Sequence, residues 1–241
     1  MQIIHTEPSD EKRQKQCLQT LHNIINCNAD DKAGRRETRV IKLIEQLFDY
    51  CDALRSVLRE GEEQGASSSS SAVHETLLAD KQHPIQAIGT LMKISFDEEH
   101  RYAMCSLGAV QTISKLIQLD HAVHGSTPTD SSCITMRRYA GMSLTNLTFG
   151  DGNNKALLCS NKNFMKALVD QIKSSSDELV QVTASVIRNL SWRADPNTKQ
   201  TLNEIETVKI LSFAAMKCTQ ENTLKAILSA LWNLSNHCAK N

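Results

Sequence analysis

The stretch Ser185-Val-Ile-Arg-Asn-Leu-Ser-Trp-Arg193 decides the fold. Val186, Ile187 and Leu190 fall where one face of a helix would bury them, yet Arg188, Asn189 and Trp192 stand between them. On a wheel turning about 100° per residue, Leu179, Val182, Val186, Ile187 and Leu190 gather into one apolar stripe. Ser185, Arg188, Asn189 and Trp192 fall beside it at i, i+3, i+4 and i+7, as a second stripe. The polar residues form a face of their own.

The stretch has echoes. Leu144-Thr-Asn-Leu-Thr148, Ile187-Arg-Asn-Leu-Ser191 and Leu231-Trp-Asn-Leu-Ser235 share one pattern, and their asparagines at 146, 189 and 233 are 43 and 44 residues apart. Weaker copies lie at Leu21-His-Asn-Ile24 and Leu91-Met-Lys-Ile-Ser95. Periods of about 40–47 residues belong to helical solenoids, in which each unit buries its apolar face against its neighbours. Within a unit, Glu98–Leu107 reads as a helix opened by a capping box over Ser95-Phe-Asp-Glu98 and closed at Gly108. Val110–Leu119 follows, and Ile134–Leu147 carries the echoed motif. Two shorter helices and a longer third make the armadillo pattern, with the two-helix HEAT repeat as the nearest alternative. The expected fold is all-α: a right-handed armadillo-repeat superhelix, an α-solenoid of three-helix units.

Residues 1–60 read as a degenerate N-terminal unit, 61–83 as a Ser-rich linker containing the Ser67–Ser71 run, and 84–241 as consecutive repeats with a loop insertion at 120–132. The chain stops at Asn241 just after an Asn-Leu-Ser helix, with no polar capping helix. The stack is therefore expected to be C-terminally incomplete.

The register of the opening stripe recurs as Met142, Thr145, Asn146 and Phe149, as Ser229, Trp232, Asn233 and Asn236, and upstream as Gly89, Met92, Lys93 and Phe96. Gln19, His22, Asn23 and Asn26 repeat it more weakly. Stacked third helices lie about 8–10 Å apart, and an extended peptide advances about 3.3 Å per residue. Successive asparagines would thus meet such a peptide every two or three residues, and an amide offers a peptide group both a donor and an acceptor. Each asparagine would equally serve a neighbouring backbone carbonyl and hold adjacent units in register; both uses can coexist. Aromatic and cationic partners recurring in the stripe favour a lined groove. Lys93, Arg101, Arg137, Arg138, Lys155, Arg188 and Arg193 would bias that groove toward an acidic ligand.

Lysine plus arginine and aspartate plus glutamate both total 27, so no global imbalance points to nucleic acid. The eight cysteines never form Cys-x-x-Cys and read as reduced, mostly buried thiols of a cytosolic protein. No apolar run approaches the ~20 residues of a membrane span, and the N-terminus lacks a signal-peptide core. The Asn-Leu-Ser/Thr triplets match a glycosylation pattern but fall on packed helices. His121-x-x-His124 near Cys133 is set aside as a metal site, because it falls in a loop and lacks a fourth ligand. There is no phosphate loop, nucleophile elbow or acid/base constellation, so no catalytic residue, metal site or cofactor is assigned.

Met92-Lys-Ile-Ser-Phe-Asp-Glu-Glu-His-Arg101, Arg137-Arg-Tyr-Ala-Gly-Met142, Leu144-Thr-Asn-Leu-Thr-Phe-Gly-Asp151, Arg188-Asn-Leu-Ser-Trp-Arg-Ala-Asp195 and Leu228-Ser-Ala-Leu-Trp-Asn-Leu-Ser235 closely resemble the armadillo domain of the adenomatous polyposis coli (APC) tumour suppressor family. The resemblance runs over residues 15–241, broken by the Ser-rich insert. It implies a non-enzymatic scaffold that restrains Wnt signalling through β-catenin destruction, with roles in the cytoskeleton, adhesion and cell migration. The groove would bind short segments of Rho-family exchange factors, a membrane-recruitment adaptor and a kinesin-associated protein. β-Catenin would bind through repeats absent from this chain. Asn146, Lys155, Arg188, Asn189 and Asn233 carry over as groove residues, with Phe96, Arg101 and Met142 as neighbours. Lys93, Phe149, Ser185, Trp192 and Trp232 complete the set. A cytoplasmic protein is implied, also at the cell cortex, on microtubules and in the nucleus. An importin-like adaptor for basic peptides is the alternative, opposed by the basic surroundings.

Overall fold

The computed structural model describes residues 13, 15–21, 23, 32–63 and 83–235. Its helices are α1 (Lys32–Glu63), α2 (Ile85–Ile94), α3 (Glu98–Ser106), α4 (Ala109–His124), α5 (Ser131–Thr148), α6 (Gly152–Ser160), α7 (Lys162–Asp170, continued by a 3-10 turn), α8 (Asp177–Ser191), α9 (Pro196–Glu204), α10 (Thr207–Lys217) and α11 (Glu221–Ser235). No strand occurs among the described residues. From α3 onward they form three trios, each closing on a third helix of 15 or 18 residues. That is the three-helix unit expected from the 43–44-residue period. Among the described residues, no helix is long and apolar enough to cross a membrane.

Helix starts are set by side-chain caps. Asp97, Asp130, Asp151, Asn161 and Ser176 each accept the backbone N–H three residues on, and Asp195 accepts from both Asn197 and Thr198. Such caps satisfy donors that a helix leaves orphaned. Asp97, Asp151 and Asp195 open the first helix of each trio, and Pro196 adds its fixed φ at the first helical position of α9. The expected Ser95–Glu98 capping box is corrected here. Asp97 is the cap, while Ser95 donates its hydroxyl to the Met92 carbonyl.

The third helices α2, α5, α8 and α11 pack side by side in succession, and α1, α4 and α7 form a parallel row behind them. Their inward stripes make one continuous apolar core, including Leu144, Leu147, Val186, Ile187, Leu190 and Ile227. Two glycines let neighbouring third helices close up. A Cβ on Gly141 of α5 would lie 2.5 Å from Val182 Cγ1 of α8, and one on Gly89 of α2 would lie 3.3 Å from the Tyr139 ring. Gly89, expected on the groove stripe, is therefore buried beneath that ring.

The segments expected to be irregular are more helical than their composition suggested. Of the 120–132 insertion, Asp120–His124 complete α4 and Ser131 and Ser132 begin α5. Of the 61–83 linker, Gly61–Glu63 complete α1. The Ser67–Ser71 run, His22, Asn26, Asn236 and the chain end lie outside the described residues. α1 itself is a single 32-residue helix. Val40, Ile41, Ile44, Leu47, Phe48, Cys51, Leu54 and Val57 bury one face of it at spacings of three and four.

Candidate functional site

The echoed asparagines are the joints between third helices. Asn189 Nδ2 on α8 donates to the Thr145 carbonyl of α5 at 2.9 Å, and Asn233 Nδ2 on α11 donates to the Arg188 carbonyl of α8 at 2.9 Å. In both, the acceptor is the residue just before the preceding unit's asparagine. Asn146 Nδ2 instead meets Ser95 Oγ at 2.8 Å, and Ser95 passes the bond to the Met92 carbonyl at 2.6 Å. Met92 precedes Lys93, so the register is unchanged and a hydroxyl bridges the gap. The register-holding use of the asparagine donors is therefore present. Asn189 is only 7% exposed. No described residue donates to Oδ1 of any of the three.

Beside this ladder stand the aromatic rings. Phe96, Phe149 and Trp192 occupy matching positions three residues after Lys93, Asn146 and Asn189, and are 65, 81 and 52% exposed. Trp232, on α11 next to Asn233, is 67% exposed. Three of them stand outside the helices whose register predicted them. Phe149 and Trp192 are extended C-cap residues of α5 and α8, and Phe96 lies in the turn after α2. The rings reach outward because the chain leaves the helix there. Met142 and Ser185 are half-buried, and Ser185 donates to the Gln181 carbonyl.

The seven basic residues do not form one patch. Arg137 is fully buried, with Nε 2.5 Å from Asp120 Oδ2 and Nη2 3.2 Å from the Asp120 carbonyl. Its place is the core, because α5 turns residue 137 toward α4. Arg138 is ion-paired with Glu178 at 2.7 Å. Arg101 donates to the carbonyls of Ser95 and Phe96 and so fixes the turn that carries the Phe96 ring. Lys155 reaches from α6 to the Trp192 carbonyl at 3.1 Å. Burial, and then the Arg193 guanidinium, hold its pKa below the ordinary lysine value. The Arg193 guanidinium lies 5.7 Å over the Trp192 ring. Lys93 and Arg193 are exposed and Arg188 is half-buried, with no ion pair to a described residue.

Backbone geometry adds to Arg193 a feature that its place in the basic set did not reveal. Arg193 has φ 52°, in the left-handed region, where the preceding unit has Gly150 at φ 75°. A side chain in that conformation costs about 1–2 kcal/mol. The legible signal was Phe-Gly-Asp in one unit against Trp-Arg-Ala-Asp in the next. A second unforeseen feature is an apolar cleft of about 570 Å³ lined by Ile172, Val180, Ile210, Phe213 and Ile227, with none of the expected site residues in it. The all-round apolar character of Thr207–Lys217 could have indicated it.

The six described cysteines form no disulfide with one another. The setting assumed for His121 and His124 is corrected: both lie on the last turn of α4, where His121 faces Asp170 and His124 faces Asp120.

Three-helix units stacked through their third helices, with a side-chain amide ladder between them, define an armadillo-type α-solenoid. Residues 27–104 match the family model described as the adenomatous polyposis coli (APC) repeat. The chain is 53% identical over 222 residues to the adenomatous polyposis coli protein of Homo sapiens, covering 92% of the chain and 8% of that protein. It is 44% identical over 228 residues to adenomatous polyposis coli protein 2 of Homo sapiens, covering 92% of the chain and 9% of that protein. The APC-related protein 1 of Caenorhabditis elegans is 31% identical over 242 residues, with 93% of the chain and 20% of that protein covered. The chain belongs to the adenomatous polyposis coli family and corresponds to its armadillo-like region. It spans less than a tenth of the length of the vertebrate relatives cited.

Proposed function

We propose that the outer face of α2, α5, α8 and α11 is a groove for an extended, acidic segment of a partner protein, and that the chain is a non-enzymatic scaffold module. The carrying observation is the repeated exposure of large aromatic rings at matching positions. Both tryptophans of the chain, at 192 and 232, stand on this face with Phe96 and Phe149. Isolated exposed apolar residues are ordinary, but a row of rings rimmed by polar groups is the composition of an interaction surface.

The asparagine ladder supports this reading from the other side. Each donor is spent between helices, while each Oδ1 remains open to accept a peptide N–H. Lys93, Lys155, Arg188 and Arg193 supply charge beside it, and the strained backbone at Arg193 holds a guanidinium next to Trp192. Cations among rings favour carboxylates and disfavour the basic peptides of an importin-like adaptor. Within the family, this module would take segments of signalling and cytoskeletal proteins, including Rho-family exchange factors, a membrane-recruitment adaptor and a kinesin-associated protein. It would work in the cytoplasm as part of a negative regulator of Wnt signalling. β-Catenin binding would belong to other regions of such a protein.

Titration of labelled acidic and basic peptides against wild type and Arg188→Glu/Trp232→Ala tests the proposal. Both substitutions leave the ladder intact, because Arg188 contributes to it only through its carbonyl. The acidic peptide should bind wild type and lose at least ten-fold in affinity on the variant. Equal binding to both proteins, or tighter binding of the basic peptide by wild type, overturns it.

A further inference from the structure

Away from the aromatic face, four segments bring ionisable side chains to one buried point. His83 precedes α2, Asp120 and His124 lie on the last turns of α4, Cys133 lies on the first turn of α5, and Tyr50 reaches in from α1. One imidazole nitrogen of His83, a carboxylate oxygen of Asp120 and Sγ of Cys133 all lie within 4.8 Å of one another. His124 Nε2 stands 3.7 Å from Asp120 Oδ1, and its ring centroid is 6.0 Å from that of His83. Asp120 and Cys133 are fully buried, and both histidines are half-buried.

The hydrogen-bond ledger at this point does not close. His83 Nε2, His124 Nε2, Asp120 Oδ1 and the Tyr50 hydroxyl are all shielded from solvent, and none has a hydrogen-bond partner. A buried polar atom without a partner costs about 1–3 kcal/mol, and native structures rarely collect several together. The other Asp120 oxygen is fully used, accepting from Arg137 Nε at 2.5 Å and from the Cys133 thiol at 3.1 Å. Arg137 thus holds the carboxylate so that Oδ1 faces the His124 imidazole, while His83 Nε2 lies 3.7 Å from Asp130 Oδ2 at the rim of the site. An outer charged partner orients metal-binding carboxylates in the same way.

We propose that His83, Asp120, His124 and Cys133 form a four-ligand zinc site. Two imidazoles, a thiolate and a carboxylate are a donor set suited to tetrahedral Zn²⁺ rather than to Ca²⁺ or Mg²⁺, which take oxygen. Bonds of about 2.0–2.3 Å require the His83, Asp120 and Cys133 ligand atoms, now within 4.8 Å of one another, to draw closer together, and His124 to swing in from its place beside Asp120 Oδ1. Binding replaces the thiol proton of Cys133, which leaves to solvent. Asp120 Oδ2 loses the S–H bond and keeps Arg137. The ion would tie the segment entering α2 to the end of α4 and the start of α5.

Co²⁺ titration of the reduced 241-residue chain, first stripped with chelator, tests the site. One equivalent should develop tetrahedral d–d bands with a near-ultraviolet thiolate-to-metal band, and Zn²⁺ should displace it. Saturating Zn²⁺ should raise the thermal midpoint by more than about 3 °C. Cys133→Ser should abolish the thiolate band, and His83→Gln should weaken Co²⁺ binding at least ten-fold. Cys159→Ser should leave both unchanged. If Cys133→Ser loses the wild-type far-UV circular dichroism, His83→Gln and His124→Gln decide on their own. Absence of a thiolate band at one equivalent, or Zn²⁺ binding that these variants leave unaltered, overturns the proposal and leaves the polar atoms to bridging water.

Discussion

Asn189 on α8 donates its side-chain amide to the main-chain carbonyl of Thr145 on α5, 44 residues earlier, at 2.9 Å. The bond lies at the edge of the core, and its loss leaves the Thr145 carbonyl with only the Thr148 hydroxyl, at 3.4 Å. Asn189→Ala should lower stability by about 1–2 kcal/mol, read as a shift in the urea midpoint. Thr145→Ala should stay within about 0.5 kcal/mol of wild type, because only its carbonyl serves the ladder. Ser95→Ala should cost about 1 kcal/mol, because there the hydroxyl itself is the link. Equal effects of Thr145→Ala and Ser95→Ala would contradict the relay.

Gly141 is needed for closeness rather than for turn geometry. A methyl group at this position would sit 2.5 Å from Val182 Cγ1. Gly141→Ala should destabilise by about 1–3 kcal/mol through overpacking. Val182→Ala in the same chain should recover much of that loss. A double-mutant cycle measures the coupling, and strict additivity would show that the helices separate freely.

Arg137 and Asp120 are a fully buried pair joining α5 to α4. Truncating Arg137 to alanine should cost about 3–5 kcal/mol, because Asp120 is left charged and unpaired. Thermal melts of Arg137→Ala and Arg138→Ala separate the core cation from its surface neighbour. Arg138, paired with the exposed Glu178, should shift stability by less than about 1 kcal/mol.

Asp195 caps α9, and its pKa is held below the ordinary 3.8, first by the Thr198 backbone N–H and then by the Thr198 hydroxyl. A carboxylate with a lowered folded-state pKa stabilises the fold above its unfolded value and loses that contribution as pH falls through the lower one. The wild-type chain should therefore lose stability below about pH 4, and Asp195→Asn should flatten that part of the curve. Denaturant midpoints measured from pH 6 to pH 2.5 give the comparison. Asp195→Ala should cost about 1 kcal/mol at neutral pH as an ordinary cap deletion.

The three-helix unit was legible because its signal is periodic: apolar stripes and an asparagine every 43 or 44 residues. The long α1 was not, since its spacing of three and four carried no repeat motif to draw attention to it. Composition misled at Asp120–His124, where buried packing against α1 and α7 keeps a polar-looking segment helical. The basic residues of the groove were gathered without regard to the way each one faces, so Arg137 was counted with Arg188. Both occur in a third helix, and only the Asp120 carboxylate on a neighbouring helix reveals that residue 137 turns inward. Nor can a wheel say which half of an amide is already engaged.

Two of the three ladder bonds end on main-chain oxygens, which every residue type provides alike. Positions 145 and 188 are therefore exempt from any stacking duty and may be respelled one letter at a time while the spine stays whole. Under the proposed groove, stability and recognition are written in separate alphabets on the same residues. Paralogues built this way can diverge in what they hold without first having to survive a weakened fold.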